Sequence, residues 1–233
     1  MRFALSLLAA LAMATGSAVA ADTGFYVGAS VGQGSYDISK GEIDDFTEEV
    51  IELAVEEEIG YIADWHNASS KLDDSDTVYS FFVGYRFMPY LAAEVAWLEL
   101  GEAAYKSSGE LYIFDPMDKW LLLGEAEPKL TWSGSGAALS ALGIWPVSEQ
   151  WELFGRVGVL FADTELKFAI DGEKIGSESE SSTEFVWGLG VDFIFMDNFA
   201  ARLEYQMIPD LGDKNTTGEA DVDLITLGLI YRF

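Results

Sequence analysis

The stretch that decides the fold is residues 221–233, "DVDLITLGLIYRF". Ile225, Leu227, Leu229, Tyr231 and Phe233 fall on one face, and Leu224, Thr226, Gly228, Ile230 and Arg232 on the other. A repeat of two is the signature of a strand lying between two different surroundings. Here one face is wholly apolar and the other mixes small, apolar and charged groups, and the alternation continues to Phe233.

Seven earlier stretches read the same way: 24–34, 77–87, 90–100, 130–144, 151–162, 183–195 and 199–208. With 221–233 they make eight stretches of 10 to 15 residues. Globular strands commonly run to about 5–6 residues, whereas a tilted strand crossing a bilayer needs about 9–11. The connections alternate in length. Short ones, "MP" (88–89), "PVSEQ" (146–150) and "MDN" (196–198), interleave with long ones of 42, 29, 20 and 12 residues. Tight turns on one side and large loops on the other mark an up-and-down barrel in an outer membrane. The expected fold is therefore all-β: an eight-stranded antiparallel transmembrane β-barrel with short periplasmic turns and long extracellular loops. An even strand number puts both ends of the barrel on the periplasmic side. The 130–144 stretch alternates poorly, so its register is open.

The N-terminal segment supports export. Arg2 precedes an apolar run from Phe3 to Met13, and "AVA" ends at Ala20. This pattern predicts a signal peptide over 1–21 and a barrel domain over 22–233, because the apolar run is too short to span a bilayer. The chain holds no cysteine, so disulfide and thiol chemistry are excluded. Its formal charge of −27 excludes a nucleic-acid partner, which demands a basic surface.

A water-soluble sandwich would bury the apolar faces and expose the polar ones. Aromatic placement argues against it. Phe87, Tyr90, Trp145, Trp151, Phe195, Phe199, Tyr231 and Phe233 flank the short turns or the last strand, where a membrane-interface girdle would lie.

"GFYVGASVGQG" at 24–34, the eight-strand layout and the final "YRF" together resemble the small outer-membrane β-barrel family of the OmpA and OmpX type. The resemblance implies that the last strand is read by the barrel-assembly machinery through Leu227, Leu229, Tyr231 and Phe233. It also implies contact with outer-membrane lipid and lipopolysaccharide, and a monomer. The OmpA type carries a periplasmic domain for peptidoglycan; this sequence ends at the barrel, so cell-wall anchoring is not expected of it. "DVDLITLGLIYRF" is also similar to a hydrophobic-channel subfamily.

An eight-stranded barrel is just wide enough for side chains to fill it. Alternation places Arg86, Arg156, Arg202 and Arg232 inward, together with Glu94, Glu152, Asp192 and Glu204. Four of each sign is balanced in an otherwise acidic chain. Charges in a dry interior are tolerable only when paired and hydrogen-bonded, so the lumen is expected to be plugged by an ion-pair network. The alternative is a gate, which would make the barrel a narrow channel for ions or small apolar solutes.

Residues 37–76 hold 14 acidic and 2 basic residues. Within them 44–65 has helical spacing: Phe46, Val50, Leu53 and Glu57 form one stripe, and Ile51, Val55, Ile59 and Ile62 its neighbour. Asp44 or Asp45 could cap the start, and Gly60 could end it. The expectation is a short helix lying over the barrel mouth by its apolar stripe. Such an acidic surface suits a basic partner or divalent cations. The spacing matches no calcium loop, so no metal ligands are assigned.

Enzymes of this size in the outer membrane use a histidine base. The one histidine is His66, with Asp64, Ser69 and Ser70 close in sequence. Sequence neighbours rarely form a triad, which assembles from separate elements. The reading is therefore of a barrel without cofactor or catalytic residue, serving membrane integrity, adhesion or surface recognition. A lipid A-modifying enzyme is the remotest alternative.

Overall fold

A computed structural model describes residues 23–60, 62–115, 119–213 and 218–233. The expected signal peptide lies outside them. The elements run β1 (Gly24–Asp37), α1 (Lys40–Ile59), β2 (Ala63–Asp73), β3 (Ser75–Met88), β4 (Leu91–Asp115), β5 (Lys119–Ala126), β6 (Pro128–Pro146), β7 (Trp151–Ile170), β8 (Glu173–Met196), β9 (Phe199–Asp213) and β10 (Gly218–Arg232).

Eight strands form a closed antiparallel ring in the order β1, β3, β4, β6, β7, β8, β9, β10. The ring shuts where β10 pairs with β1, from Tyr26 opposite Arg232 to Asp37 opposite Asp221. Closure leaves no unpaired strand edge at membrane depth, where each lost backbone hydrogen bond costs several kcal/mol.

The wall is inverted relative to a soluble protein. Phe81, Val95, Trp97, Leu139, Val157, Phe161, Leu189 and Leu227 point outward and are exposed, while Glu94 is 1 % exposed and Arg202 3 %. A contiguous apolar exterior of this extent meets lipid. It ends sharply: Trp97, Ala137 and Phe161 are cross-strand neighbours, and the next outward row is Glu99, Ser135, Asp163 and Ser181. At the opposite rim the girdle residues of β8, β9 and the C-terminal end of β10 are in ring contact. Phe195 meets Phe199 at 6.3 Å, Phe199 meets Tyr231 at 5.1 Å, and Tyr231 meets Phe233 at 5.1 Å.

All eight expected strands are present, but two of the long connections, 101–129 and 163–182, consist largely of strand among the described residues. β4, β7 and β8 run to 25, 20 and 24 residues. Beyond the lipid band the outward residues turn polar, as at Asp163, Glu165 and Lys167 of β7 and Ser177, Ser179 and Ser181 of β8, while the strands' hydrogen bonding continues. The β7–β8 extension closes at Asp171 and Gly172, with φ of 53° and 81°. Positive φ at both residues is the hairpin geometry that an Asp-Gly pair favours.

β6 also resolves. It pairs with β7 from Pro128 opposite Ile170 to Pro146 opposite Glu152. Its inward residues include Gly134, Gly136, Ala138 and Ser140, so both faces lack large polar groups and alternation fades. Gly136 is required there: a Cβ would lie 2.2 Å from the Phe161 carbonyl oxygen.

The interior has two levels. The charged residues sit toward the short-turn end. Above them Tyr36, Val78, Leu98, Leu100, Trp132 and Leu160 fill the lumen with neighbours into one apolar cluster. Tyr36 packs edge-on to Trp132 at 5.1 Å, and its hydroxyl donates to the Leu100 carbonyl. The sequence reading anticipated only the charged level.

α1 departs from expectation in two ways. It begins at Lys40 with Ser39 as N-cap, not Asp44 or Asp45. It packs on β2, on the side of the sheet that continues the inward face of β4, where Tyr105 follows the lumen residue Ala103 and donates to Asp44. The stripe it buries is Ile51 and Val55, against Ala63, Trp65 and Leu111; Phe46, Val50 and Leu53 stay exposed. The physical reason is that β2 and β5 flank the far end of β4 and make an external sheet, a wing, which offers the helix an apolar face. Gly60 ends the helix as expected, at φ 72°. The Ile59 side chain lies outside the described set, and Ile62 is exposed beyond the helix.

Gly84 lies directly across from Tyr26, and a Cβ there would come within 2.1 Å of the tyrosine ring. Gly84→Val should cost about 1–3 kcal/mol by overpacking. It should lower the urea midpoint of the folded barrel and the fraction that migrates as folded protein on unboiled SDS gels. Gly143→Ala, where nothing lies within 4 Å, should leave both unchanged.

Candidate functional site

All eight sequence-predicted lumen charges come together in one chain of contacts. Glu94 on β4 is its centre. One carboxylate oxygen accepts from Arg202 Nη1 at 2.7 Å and from the Tyr26 hydroxyl at 2.8 Å; the other accepts from Arg156 Nη2 at 2.5 Å. Arg156 also donates through Nε and Nη2 to both oxygens of Glu204, at 2.6 and 3.2 Å. Arg202 grips Asp192 with two parallel bonds of 2.8 and 3.0 Å. Arg232 Nη2 lies 2.7 Å from Glu152 and 3.8 Å from Asp192. Arg86 completes the chain with a 3.0 Å bond to Glu152 and another to the Pro89 carbonyl. Two-point guanidinium–carboxylate pairs add geometric specificity to their energy.

The sequence reading missed the groups that hold this network in place. The Arg202 guanidinium lies between two rings, 4.3 Å from the centre of Phe154 and 5.1 Å from that of Phe82. Stacking of a desolvated guanidinium on aromatic faces is worth about 2 kcal/mol or more. Each ring lies against a glycine on a neighbouring strand: Phe154 opposite Gly190, Phe82 opposite Gly28, Tyr26 opposite Gly84. The signal was an inward aromatic facing an inward glycine. It becomes visible only when the register is known.

Toward the short turns the network opens into a cavity of about 610 Å³, lined by Arg86, Glu152, Asp192 and Arg232 among others. Toward the exterior the apolar level lies above it.

The expected assembly residues Leu227, Leu229, Tyr231 and Phe233 all point outward and are exposed. The Phe233 amide donates to Phe25 across the β1–β10 seam at 3.1 Å.

On the wing, α1 shields the outer edge of β2. Glu52 and Glu56 accept hydrogen bonds from the backbone amides of Trp65 and Ala63, at 2.9 and 3.1 Å. Asp44 accepts from Lys40 at 2.7 Å and from the Tyr105 hydroxyl at 2.6 Å, and Lys40 also bonds Ser70. Burial pushes the Asp44 carboxyl up, but hydrogen bonds from Lys40, Ser70 and Tyr105 outweigh it and bring it down to about 2. His66 lies on β2, 2.9 Å from Asp64 and in edge contact with Tyr112. Ser70 is engaged by Lys40 instead, so the four neighbours in sequence do not assemble as a triad.

A closed, lipid-faced ring with a paired lumen limits the families to consider, and the sequence profile of the OmpA-like transmembrane domain matches residues 20–233. The chain belongs to the OmpA-like transmembrane domain family. It is an outer-membrane β-barrel. It is 30 % identical over 155 residues to outer membrane protein A of Klebsiella pneumoniae, covering 65 % of this chain and 40 % of that one. With the Serratia marcescens protein of the same name the identity is 26 % over 155 residues, covering 65 % and 38 %. The chain thus spans about two-fifths of the length of the curated relatives it matches. Among solved structures it is similar to the N-terminal β-barrel domain of Pseudomonas aeruginosa OprF, at 11 % identity and TM-score 0.47, covering 91 % of this chain and 100 % of that one. It is also similar to Neisserial surface protein A, at 14 % and 0.45, covering 90 % and 97 %.

In this OmpA-like barrel Arg202 neutralises both Glu94 and Asp192. Arg202→Met should therefore cost about 3–5 kcal/mol, the penalty of stranding buried charge. Arg202→Met with Asp192→Leu should recover part of that loss in urea titrations of the refolded protein. The wing should respond to acid on its own. Asp44 is lowered on folding, so its contribution is present above the ordinary carboxylate range and is lost as pH falls from about 4 to about 2. Quenching of Trp65, buried under α1, should rise across that window, and Asp44→Asn should abolish the step.

Proposed function

We propose that this OmpA-like barrel is a closed scaffold that stabilises the outer membrane and displays an acidic wing for recognition of a basic partner. One observation carries the reading: each of the eight charges in the lumen network lies within contact distance of an opposite one, and an apolar level lies above them. A channel lined by one sign of charge would hold those charges unpaired for a passing ion. Here conduction requires breaking several buried pairs at once.

The wing supports the second half of the proposal. Glu48, Glu49, Glu52 and Glu56 lie on α1, on the exterior side of the membrane. Asp45, Glu48, Glu49, Glu52 and Glu56 line one continuous acidic surface, which suits a basic protein or peptide. His66 contacts Asp64 and Tyr112, and Ser70 is held by Lys40, which supports a non-enzymatic role. The proposal includes removal of residues 1–21 on export, a monomeric barrel over 22–233 in contact with lipopolysaccharide, and recognition of Leu227, Leu229, Tyr231 and Phe233 by the assembly machinery.

Planar-bilayer recording tests the scaffold reading. Protein shown to be folded by its heat-shifted gel mobility should give no discrete openings between ±100 mV, on the order of the potentials that move gating charges. Reproducible unitary conductance that changes in Arg202→Met would replace the scaffold with a gated channel.

A further inference from the structure

The wing has two outer edges, and the chain treats them differently. The β2 edge is covered by α1, whose Glu52 and Glu56 accept two of its backbone amides. β5, "KWLLLGEA", pairs with β4 alone. Among the described residues no strand or helix takes its other edge. An open edge is normally blunted by charge, proline or a bulge that twists it away. β5 has a bulge at Leu123, yet the run around it is apolar. Trp120, Leu121, Leu122 and Leu123 are consecutive and exposed by 46, 46, 55 and 52 %. This apolar edge lies about 17 residues of strand beyond Trp97, where the apolar outward band of the barrel wall ends on β4, or roughly 55 Å along the chain. Lipid contact at the barrel wall therefore does not account for it.

We propose that the free edge of β5 is a docking site for an extended, basic segment of a partner protein, which adds to the wing as a further strand. This rests on the recognition role proposed for the wing. Main-chain hydrogen bonds along 119–126 supply affinity, and alternate side chains of the incoming strand supply selectivity. Trp120 and Leu122 on one face of β5, with Phe114 and Tyr112 beside them on β4, form a shelf for its apolar side chains. The charge of the occupant follows from its surroundings. The connection that supplies α1 and β2 holds 14 acidic and 2 basic residues, and the one that supplies β5, 101–129, holds six and three, so the net field around β5 attracts a cationic chain and repels a second copy of this one.

The test uses the full barrel in zwitterionic nanodiscs and two synthetic probes: an eight-residue alternating Val-Lys peptide, and the same peptide N-methylated at alternate amides. N-methylation keeps charge and side chains but removes strand pairing. The unmodified peptide should bind and slow hydrogen exchange at 119–126, and the methylated one should bind at least tenfold more weakly. Equal binding by both would overturn the edge-docking proposal and leave charge recognition standing. Binding by neither would overturn the recognition role itself, and the edge proposal with it. Protection of 119–126 without peptide, growing with the number of barrels per disc, would assign the edge to a second copy and also overturn it.

Discussion

In hydrocarbon no water is available to a peptide group, so every backbone N–H and C=O must find its partner within the protein. The other features of this molecule follow from that demand. It forces the strands into a ring, and the ring closes only if β10 reaches β1 along its whole length, as the register from Tyr26 to Asp37 shows. A closed ring then has an outside that is lipid and an inside that is narrow. Leu227 and Leu229 are exposed for the same reason that Ile230 is buried: the first two meet acyl chains, and the third meets other side chains.

Charges in that narrow interior need an explanation beyond stability. A well-packed apolar set of similar volume would often hold a core as well as buried ion pairs do, or better. What the pairs add here is register. Glu94, Arg156, Asp192 and Arg202 come from four different strands, and each is satisfied only by residues at one height on its neighbours. A slip of β9 by one residue would turn Arg202 and Glu204 toward lipid, at a cost no apolar contact offsets. The rings of Phe82 and Phe154 sharpen this selection, since each fits only across from a glycine. On this argument the network measures alignment during closure as much as it fills space.

The legible part of the sequence was the part under the strictest constraint. Inside the hydrocarbon each residue faces lipid or lumen, so a two-residue period, strand lengths, turn positions and the inward charges such as Glu94 and Arg202 could be read directly. β6 was harder because Gly134, Gly136, Ala138 and Ser140 carry little contrast against its outer face. Outside the membrane the constraint relaxes. "SESESST" at 177–183 is polar on both sides and reads as loop, yet it continues β8. The wing was illegible for a related reason. β2 and β5 exist because β4 overshoots the barrel, and α1 chose its buried stripe only once that sheet was there.

Relaxation outside the bilayer is also what permits an edge. At membrane depth an unpaired strand edge is forbidden, and the barrel has none. In water it is a liability whose size depends on what covers it. The chain meets that liability at β2 with two glutamates at i and i+4 on one helix, a specific device that satisfies amides without ending the strand's exposure to solvent. At β5 a bulge at Leu123 interrupts the ladder, but the most apolar run outside the lipid band lies open there. Net charge offsets the resulting tendency to self-associate, because copies of so acidic a surface repel one another at long range. That protection is selective by sign. It excludes another wing and leaves the edge accessible to a chain of opposite charge.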